Sequence, residues 1–171
     1  MVKFEGFEFV DGGVCAAAGF TAAGIIAGIK AGNTTKRDLA MIYCAERCRT
    51  AALYTTNKVK GAPIIVTKKH LEDGYAQAVI VNSGNANTCN DNGIEIAEEM
   101  CELTAQALDI DANDVVVGST GVIGQKLNIK PIKMVIPTLA KSLSAKKSSE
   151  ACEAIMTTDT RKKEIAVEFE I

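Results

Sequence analysis

Tryptophan is absent, histidine occurs once, and aromatic residues make up only 5% of the 171-residue chain. A core must therefore be built from Ala, Val, Ile and Leu. With His70 as the only imidazole, no Ser-His-Asp set exists without it, and nothing around it marks a site. No Cys-x-x-Cys pair occurs among cysteines 15, 44, 48, 89, 101 and 152, so no metal site is expected. They read as reduced thiols serving as small apolar residues. A basic surplus is missing too: the net charge of −2 provides no face for nucleic acid or anionic lipid. The most apolar stretch, Gly12–Ile29, is broken by four glycines and follows Glu5, Glu8 and Asp11 rather than a basic run. It fits a buried small-residue loop and strand better than a signal peptide or a membrane span. What remains is a soluble, cytoplasmic protein handling small molecules, read as a single domain over residues 1–171 or a piece of a longer chain.

The stretch Val115-Val-Val-Gly-Ser-Thr-Gly-Val-Ile-Gly-Gln125 is the most suggestive. Three β-branched residues predict a buried strand that delivers a loop with glycines at 118, 121 and 124. Glycine there permits positive φ and leaves no Cβ in a ligand's way. Ser119, Thr120 and nearby backbone N–H groups could hold a phosphate or the oxyanion of an acyl-transfer intermediate. The spacing is neither a P-loop nor a dinucleotide fingerprint. An ordinary strand-to-loop turn fits equally well.

Along the chain, Leu39–Cys44 and Ala51–Thr55 are predicted strands joined by a charged turn at Glu46-Arg47. Ile64–Thr67 follows Gly61-Ala-Pro63 as another strand, and Ala76–Val81 as the next. That strand runs into Asn82-Ser-Gly-Asn-Ala-Asn87, either a self-bonded Asx turn or a loop supporting a site. Ile94–Leu108 is the clearest helix, with an apolar stripe and acidic residues near its N-terminus. Pro131 and Pro137 each suit a helix's first turn, and a shorter helix covers roughly 150–156. Thr157-Thr-Asp-Thr160 is either a cap and turn or a polar cluster facing a ligand. Residues 165–171 alternate as a half-buried strand, so the chain reads as one piece of something longer. The fold class expected is α+β, with mixed β-sheets layered with helices in an αββα-like arrangement.

Five segments together resemble a known family. Gly19-Phe-x-x-Ala-Gly24 through Gly28-Ile-Lys30, Tyr54-Thr-Thr-Asn57 with Ala62-Pro63, Asn82–Asn87, Ser119-Thr-Gly-Val-Ile-Gly124 and Ile155-Met-Thr-Thr-Asp-Thr160 occur in one order and span most of the chain. In that order they resemble the N-terminal α chain of the ornithine acetyltransferases, also called bifunctional glutamate N-acetyltransferases of arginine biosynthesis. The resemblance implies a precursor that cuts itself before a threonine, the nucleophile and first residue of a β chain. That threonine lies outside this sequence, so the resemblance makes the β chain a partner needed for activity and for completing the fold, in an (αβ)2 or higher oligomer. It implies ping-pong transfer of acetyl from N-acetylornithine to glutamate, and in some members from acetyl-CoA, with no resident cofactor. By matching positions, Thr120 and Gly121 are the oxyanion pair and Thr157 is a substrate-binding residue. Two positions depart from the family pattern: Thr88-Cys-Asn-Asp91 replaces a glycine-containing turn, and Asn128 replaces a more frequent proline. Other readings remain open. They are a phosphate- or nucleotide-binding module using Gly118–Gly124, a structural subunit without site residues, and a relative acting in a secondary pathway.

Overall fold

The computed structural model of the protein describes residues 6–30 and 32–170. In chain order, strands β1 (Glu8–Val10), β2 (Phe20–Ile25) and β3 (Leu39–Arg49) precede helix α1 (Ala62–His70) and strand β4 (Tyr75–Asn85). Helix α2 (Gly93–Leu108), strand β5 (Val115–Val122), helices α3 (Ile129–Lys141) and α4 (Ser148–Ile155) and strand β6 (Ala166–Glu168) complete the set. One sheet has the order β2-β3-β4-β5, antiparallel except for the parallel β4–β5 pair, and β1 pairs with β6 in a separate antiparallel ribbon. The α+β class with mixed sheets and helix layers is what the sequence led us to expect.

The larger sheet has a thick and a thin side. Leu39, Met41, Ala78, Ile80, Val115 and Val117 pack against Val66 of α1, Met100 and Cys101 of α2, and Ile132, Ile136 and Leu139 of α3. The opposite face meets α4 and the turn at Gly13–Cys15, through Ala22 and Ala40 against Ala151, Ala154 and Cys15. The approach is close because β2 carries Gly24. A Cβ there would overlap the Glu150 carbonyl and stand 3.0 Å from the Ala154 methyl. Small residues on both sides thus bring the C-terminal end of α4 down onto the sheet, which positions everything after Ile155.

Several local expectations fail for identifiable reasons. Ile64–Thr67 belongs to helix α1, not to a strand. Pro63 presets the first helical turn, and Lys68, Lys69 and His70 suit its C-terminal end, so tertiary context overrides β-branched propensity. Glu46-Arg47 is not a turn. Strand β3 runs on through a bulge where residues 44–47 face the single Gln77. Arg47 lies in the strand because Nε donates to both oxygens of buried Asp114 at 2.8 Å, its other arm pairs with Asp73, and the guanidinium sits 4.7 Å over the Tyr75 ring. Ala51–Thr55 forms no strand, and Leu53 in it is fully exposed, so this apolar run has nothing to pack against. Pro137 sits inside α3 rather than starting a helix. Burial of Ile132, Ile136 and Leu139 on one stripe offsets the roughly 3 kcal/mol an interior proline costs. The final strand shortens to Ala166–Glu168 with Ile165, Val167 and Phe169 exposed, because no described layer covers the ribbon; Ile171 lies outside the described residues.

All six cysteines are free, and Cys15, Cys44 and Cys101 are buried as small apolar residues. Burial pushes the Cys101 thiol up to about 12, whereas Cys89 is exposed and does not fit that use. His70 is buried, with Nδ1 3.0 Å from the Val115 carbonyl and Nε2 2.9 Å from a Glu98 oxygen. Lys69 donates to the other Glu98 oxygen at 2.9 Å. Partial burial pushes the Glu98 carboxyl up, but hydrogen bonds from Lys69 and His70 outweigh it and leave it below its ordinary 4.5. A carboxylate lowered by folding contributes stability above its unfolded pKa and loses it as pH falls through the folded value. Glu98→Gln should therefore be less stable than the parent near neutral pH. Urea unfolding should show that gap closing as pH drops below about 4.5. A gap constant down to about pH 3 would refute the assignment.

Candidate active site

Strand β5 is an edge strand, and its outer edge is treated differently along its length. At Val117 the Thr67 hydroxyl of α1 donates to the carbonyl at 3.0 Å and accepts from the N–H at 3.1 Å. At Val115 the carbonyl meets His70 and the Cys101 thiol. Backbone groups alternate in direction along a strand, so Val115, Val117, Ser119 and Gly121 present theirs to this outer side. Val122 faces inward, its carbonyl accepting from Ala86 N–H at 2.9 Å. Beyond Val117, no strand among the described residues occupies the outer edge, and there the N–H of Gly121 emerges.

Gly118–Gly124 is therefore less of a loop than its composition suggests. Strand β5 continues through Val122, and seven residues separate Gly121 from the start of α3. The segment does not lead straight into a helix N-terminus, as the usual phosphate cradle does. Gly121 has φ +133°, and a Cβ on it would stand 2.6 Å from Asn85 N and overlap the Gly84 carbonyl carbon. Only glycine lets β5 lie this close to β4 here.

Thr120 is half-buried on the thin side of the sheet. Its register partner on β4 is Ser83, whose hydroxyl donates to the Ala154 carbonyl of α4 at 2.7 Å. Ser119, one residue earlier, points to the thick side and donates to Asn82 Oδ1 at 2.6 Å. The Thr120 hydroxyl has no hydrogen-bond partner among the described residues. It stands free on the face that α4 covers, beside the N–H of Gly121 at the sheet edge. The two groups are neighbours in the chain at this open edge, an arrangement that suits a developing negative oxygen.

Thr157 comes to the same face because α4 ends two residues before it. It lines a cavity of about 200 Å³ with Lys30, Asn33, Lys36, Arg37, Asp38, Glu153, Met156 and Asp159. The backbone N–H of Thr157 contacts Asp159 Oδ2 at 3.4 Å, and Asp159 also pairs with Lys163. The Lys163 hydrogen bond holds the Asp159 carboxyl below its ordinary value. The Thr157–Thr160 segment is thus a turn with one threonine in the cavity wall; Thr158 and Thr160 are exposed.

The asparagine segment holds itself together. Asn82 donates to the Asn85 carbonyl at 2.9 Å, Asn85 donates to the Gln125 carbonyl at 3.0 Å, and Asn87 donates to the Gly93 carbonyl at 2.8 Å. These amides fix the ends of β4 and β5 relative to α2 and so support the corner where Thr120 sits. Asn128, at the position of the missing proline, caps α3 by accepting from Lys130 N at 3.1 Å.

Asp38 and Lys30 escaped the sequence reading as site groups. The Asp38 carboxylate, 1% exposed, accepts from Ala27 N (2.6 Å), Gly28 N (3.3 Å), Ile29 N (2.8 Å) and Asn33 Nδ2 (2.9 Å). Its carbonyl also accepts from Ser83 N at 2.9 Å. One residue therefore pins the β2–β3 loop to the end of β4. Lys30, carried by that loop, crosses Gly84: a Cβ there would stand 2.7 Å from Lys30 Cγ and 3.3 Å from its Cε. The only sequence signal was Gly28-Ile-Lys30 itself, since the seven residues between Lys30 and Asp38 hide its closure.

No described helix is long and apolar enough to cross a membrane. Comparison with known proteins then bears on this geometry. The sequence model of the ArgJ family matches residues 21–171. The chain is 43% identical over 165 residues to the arginine biosynthesis bifunctional protein ArgJ of Caldanaerobacter subterraneus subsp. tengcongensis, covering 96% of this chain and 40% of that protein. For the protein of the same name in Symbiobacterium thermophilum the values are 45% identity, 96% and 41%. The chain thus spans about two fifths of the length of these relatives. A solved structure of ornithine acetyltransferase complexed with ornithine from Mycobacterium tuberculosis superposes with a TM-score of 0.87 at 36% identity, covering 94% of this chain and 88% of that one. ArgJ of Bacillus halodurans gives a TM-score of 0.85 at 36% identity, with 94% and 84% covered.

Proposed function

This chain belongs to the ArgJ family, and from that premise we propose that it is the N-terminal α part, a single domain over residues 1–171, of a self-cleaving acetyltransferase of arginine biosynthesis. The observation that carries this reading is the corner on β5, where the Thr120 hydroxyl, without a hydrogen-bond partner among the described residues, stands next to the N–H of Gly121.

The threonine that opens the β chain attacks the acetyl carbonyl of N-acetylornithine. Oxygen forms a bond to the carbonyl carbon, and the electron pair moves onto the carbonyl oxygen, where Thr120 and Gly121 donate to it. Collapse breaks the carbon–nitrogen bond, the threonine proton goes to the departing ornithine amine, and the acetyl group stays on the enzyme as an ester. The amine of glutamate attacks that ester, giving N-acetylglutamate and the free threonine. Thr157 contacts the amino-acid part of the substrate from the cavity wall. Acetyl-CoA is a further donor in some relatives of this kind and enters at the same ester. The active species is an αβ unit that oligomerises further, in the cytoplasm.

The test is to incubate the cleaved precursor with N-acetylornithine alone and weigh the β chain by mass spectrometry. One acetyl group on its first residue, discharged by added glutamate as N-acetylglutamate, is the expected result. A β chain left unacetylated at saturating donor sinks the reading.

A further inference from the structure

The cavity beside Thr157 has an unbalanced charge. Of its three carboxylates, Asp38 is consumed by its N–H donors, Glu153 pairs with Arg37 at 2.9 Å, and Asp159 pairs with Lys163. Arg37 also reaches Glu150. Lys30 and Lys36 are left, and neither has an ion-pair partner among the described residues. A surplus cation on a surface is ordinary. Lys30 differs because its stem is held: it lies across Gly84, on a loop clamped by Asp38.

Gly84 is the register partner of Gly121. Adjacent strands lie about 4.8 Å apart, so the stem of Lys30, lying across Gly84, approaches Gly121 from the β4 side at roughly one strand spacing from its backbone. In an amino acid acetylated on its α-nitrogen, three bonds separate the acetyl carbonyl carbon from the α-carboxylate carbon, about 4.3 Å along the chain. When the carbonyl oxygen occupies the Thr120–Gly121 corner, an α-carboxylate extended toward β4 points to the side from which the Lys30 side chain approaches. We propose that Lys30 binds the α-carboxylate of the amino-acid substrate and so selects N-acylated α-amino acids over N-acylated amines. The inference rests on the acyl-transfer reading above. It deepens that reading, because donor and acceptor carry the same carboxylate at the same distance from the reacting nitrogen. One cation serves both half-reactions.

The test follows acetyl-enzyme formation in a single turnover without glutamate, using the cleaved full-length protein. Two donors are compared, N-acetylornithine and its α-carboxamide, which differ in the charge of one group. Lys30→Met should raise the donor concentration needed for half-maximal acetylation by N-acetylornithine about tenfold or more, with a smaller change in the limiting rate. With the carboxamide, the mutant and the parent should agree within about twofold, and Lys30→Arg should keep most of the preference for the acid. An equal loss with acid and amide, or no loss in Lys30→Met, overturns the proposal while the function stands. A parent protein that forms no acetyl-enzyme from N-acetylornithine overturns both.

Discussion

Thr120→Ala in the full-length precursor lowers acetyl transfer from N-acetylornithine to glutamate by about a hundredfold or more, with the mutation's effect on the limiting rate exceeding its effect on substrate affinity. The expectation follows from where the hydroxyl stands. It is half-buried beside Ser83 and has no hydrogen-bond partner among the described residues. Alanine therefore breaks no described hydrogen bond of the fold, and the loss falls on whatever oxygen the hydroxyl meets in the reaction. The measurement is the initial rate on protein whose cleavage is checked by gel, because a precursor that fails to cut itself would be inactive for another reason. Thermal unfolding of the mutant should stay near the parent's. Rates within a factor of about three of each other would take Thr120 out of the mechanism.

The largest effect on stability belongs to Asp38→Ala. Its buried carboxylate is the acceptor for three backbone N–H groups and one side-chain amide. Removing it leaves four donors without this partner, at about 1 kcal/mol for each partly solvated group, so a total loss of about 4 kcal/mol is expected. Urea unfolding with an unchanged slope would read it. Asp38→Asn should cost less, since the amide oxygen keeps one acceptor. A loss below about 1 kcal/mol for the alanine variant would mean that the β2–β3 loop finds other partners. The activity of Asp38→Ala should fall as well, because the same clamp holds Lys30 over Gly84.

Elements whose identity depends on their own residues were legible in the sequence. The apolar stripe of α2, the β-branched entry to β5 and the strand Ala76–Val81 all appear in the structure, the last two extended by a few residues. Their patterns are local, and burial acts on them as the pattern requires. The five segments that carried the family resemblance likewise stand in the sequence alone, and with them Thr120, Gly121 and Thr157. Tertiary structure decided the rest. Ile64–Thr67 is strand-like in composition and became helix, because Pro63 starts a turn and Thr67 finds the edge of β5 fifty residues away. Arg47 looked like part of a turn and is a strand residue, because Asp114 lies across the sheet from it. The open edge at Gly121, the free hydroxyl at Thr120 and the cation over Gly84 depend on which strand is outermost and which carboxylate closes which loop. A sequence states the period of each element and the chemistry of each side chain. It does not state partners, and hydrogen bonds and ion pairs between distant residues are what assemble this corner.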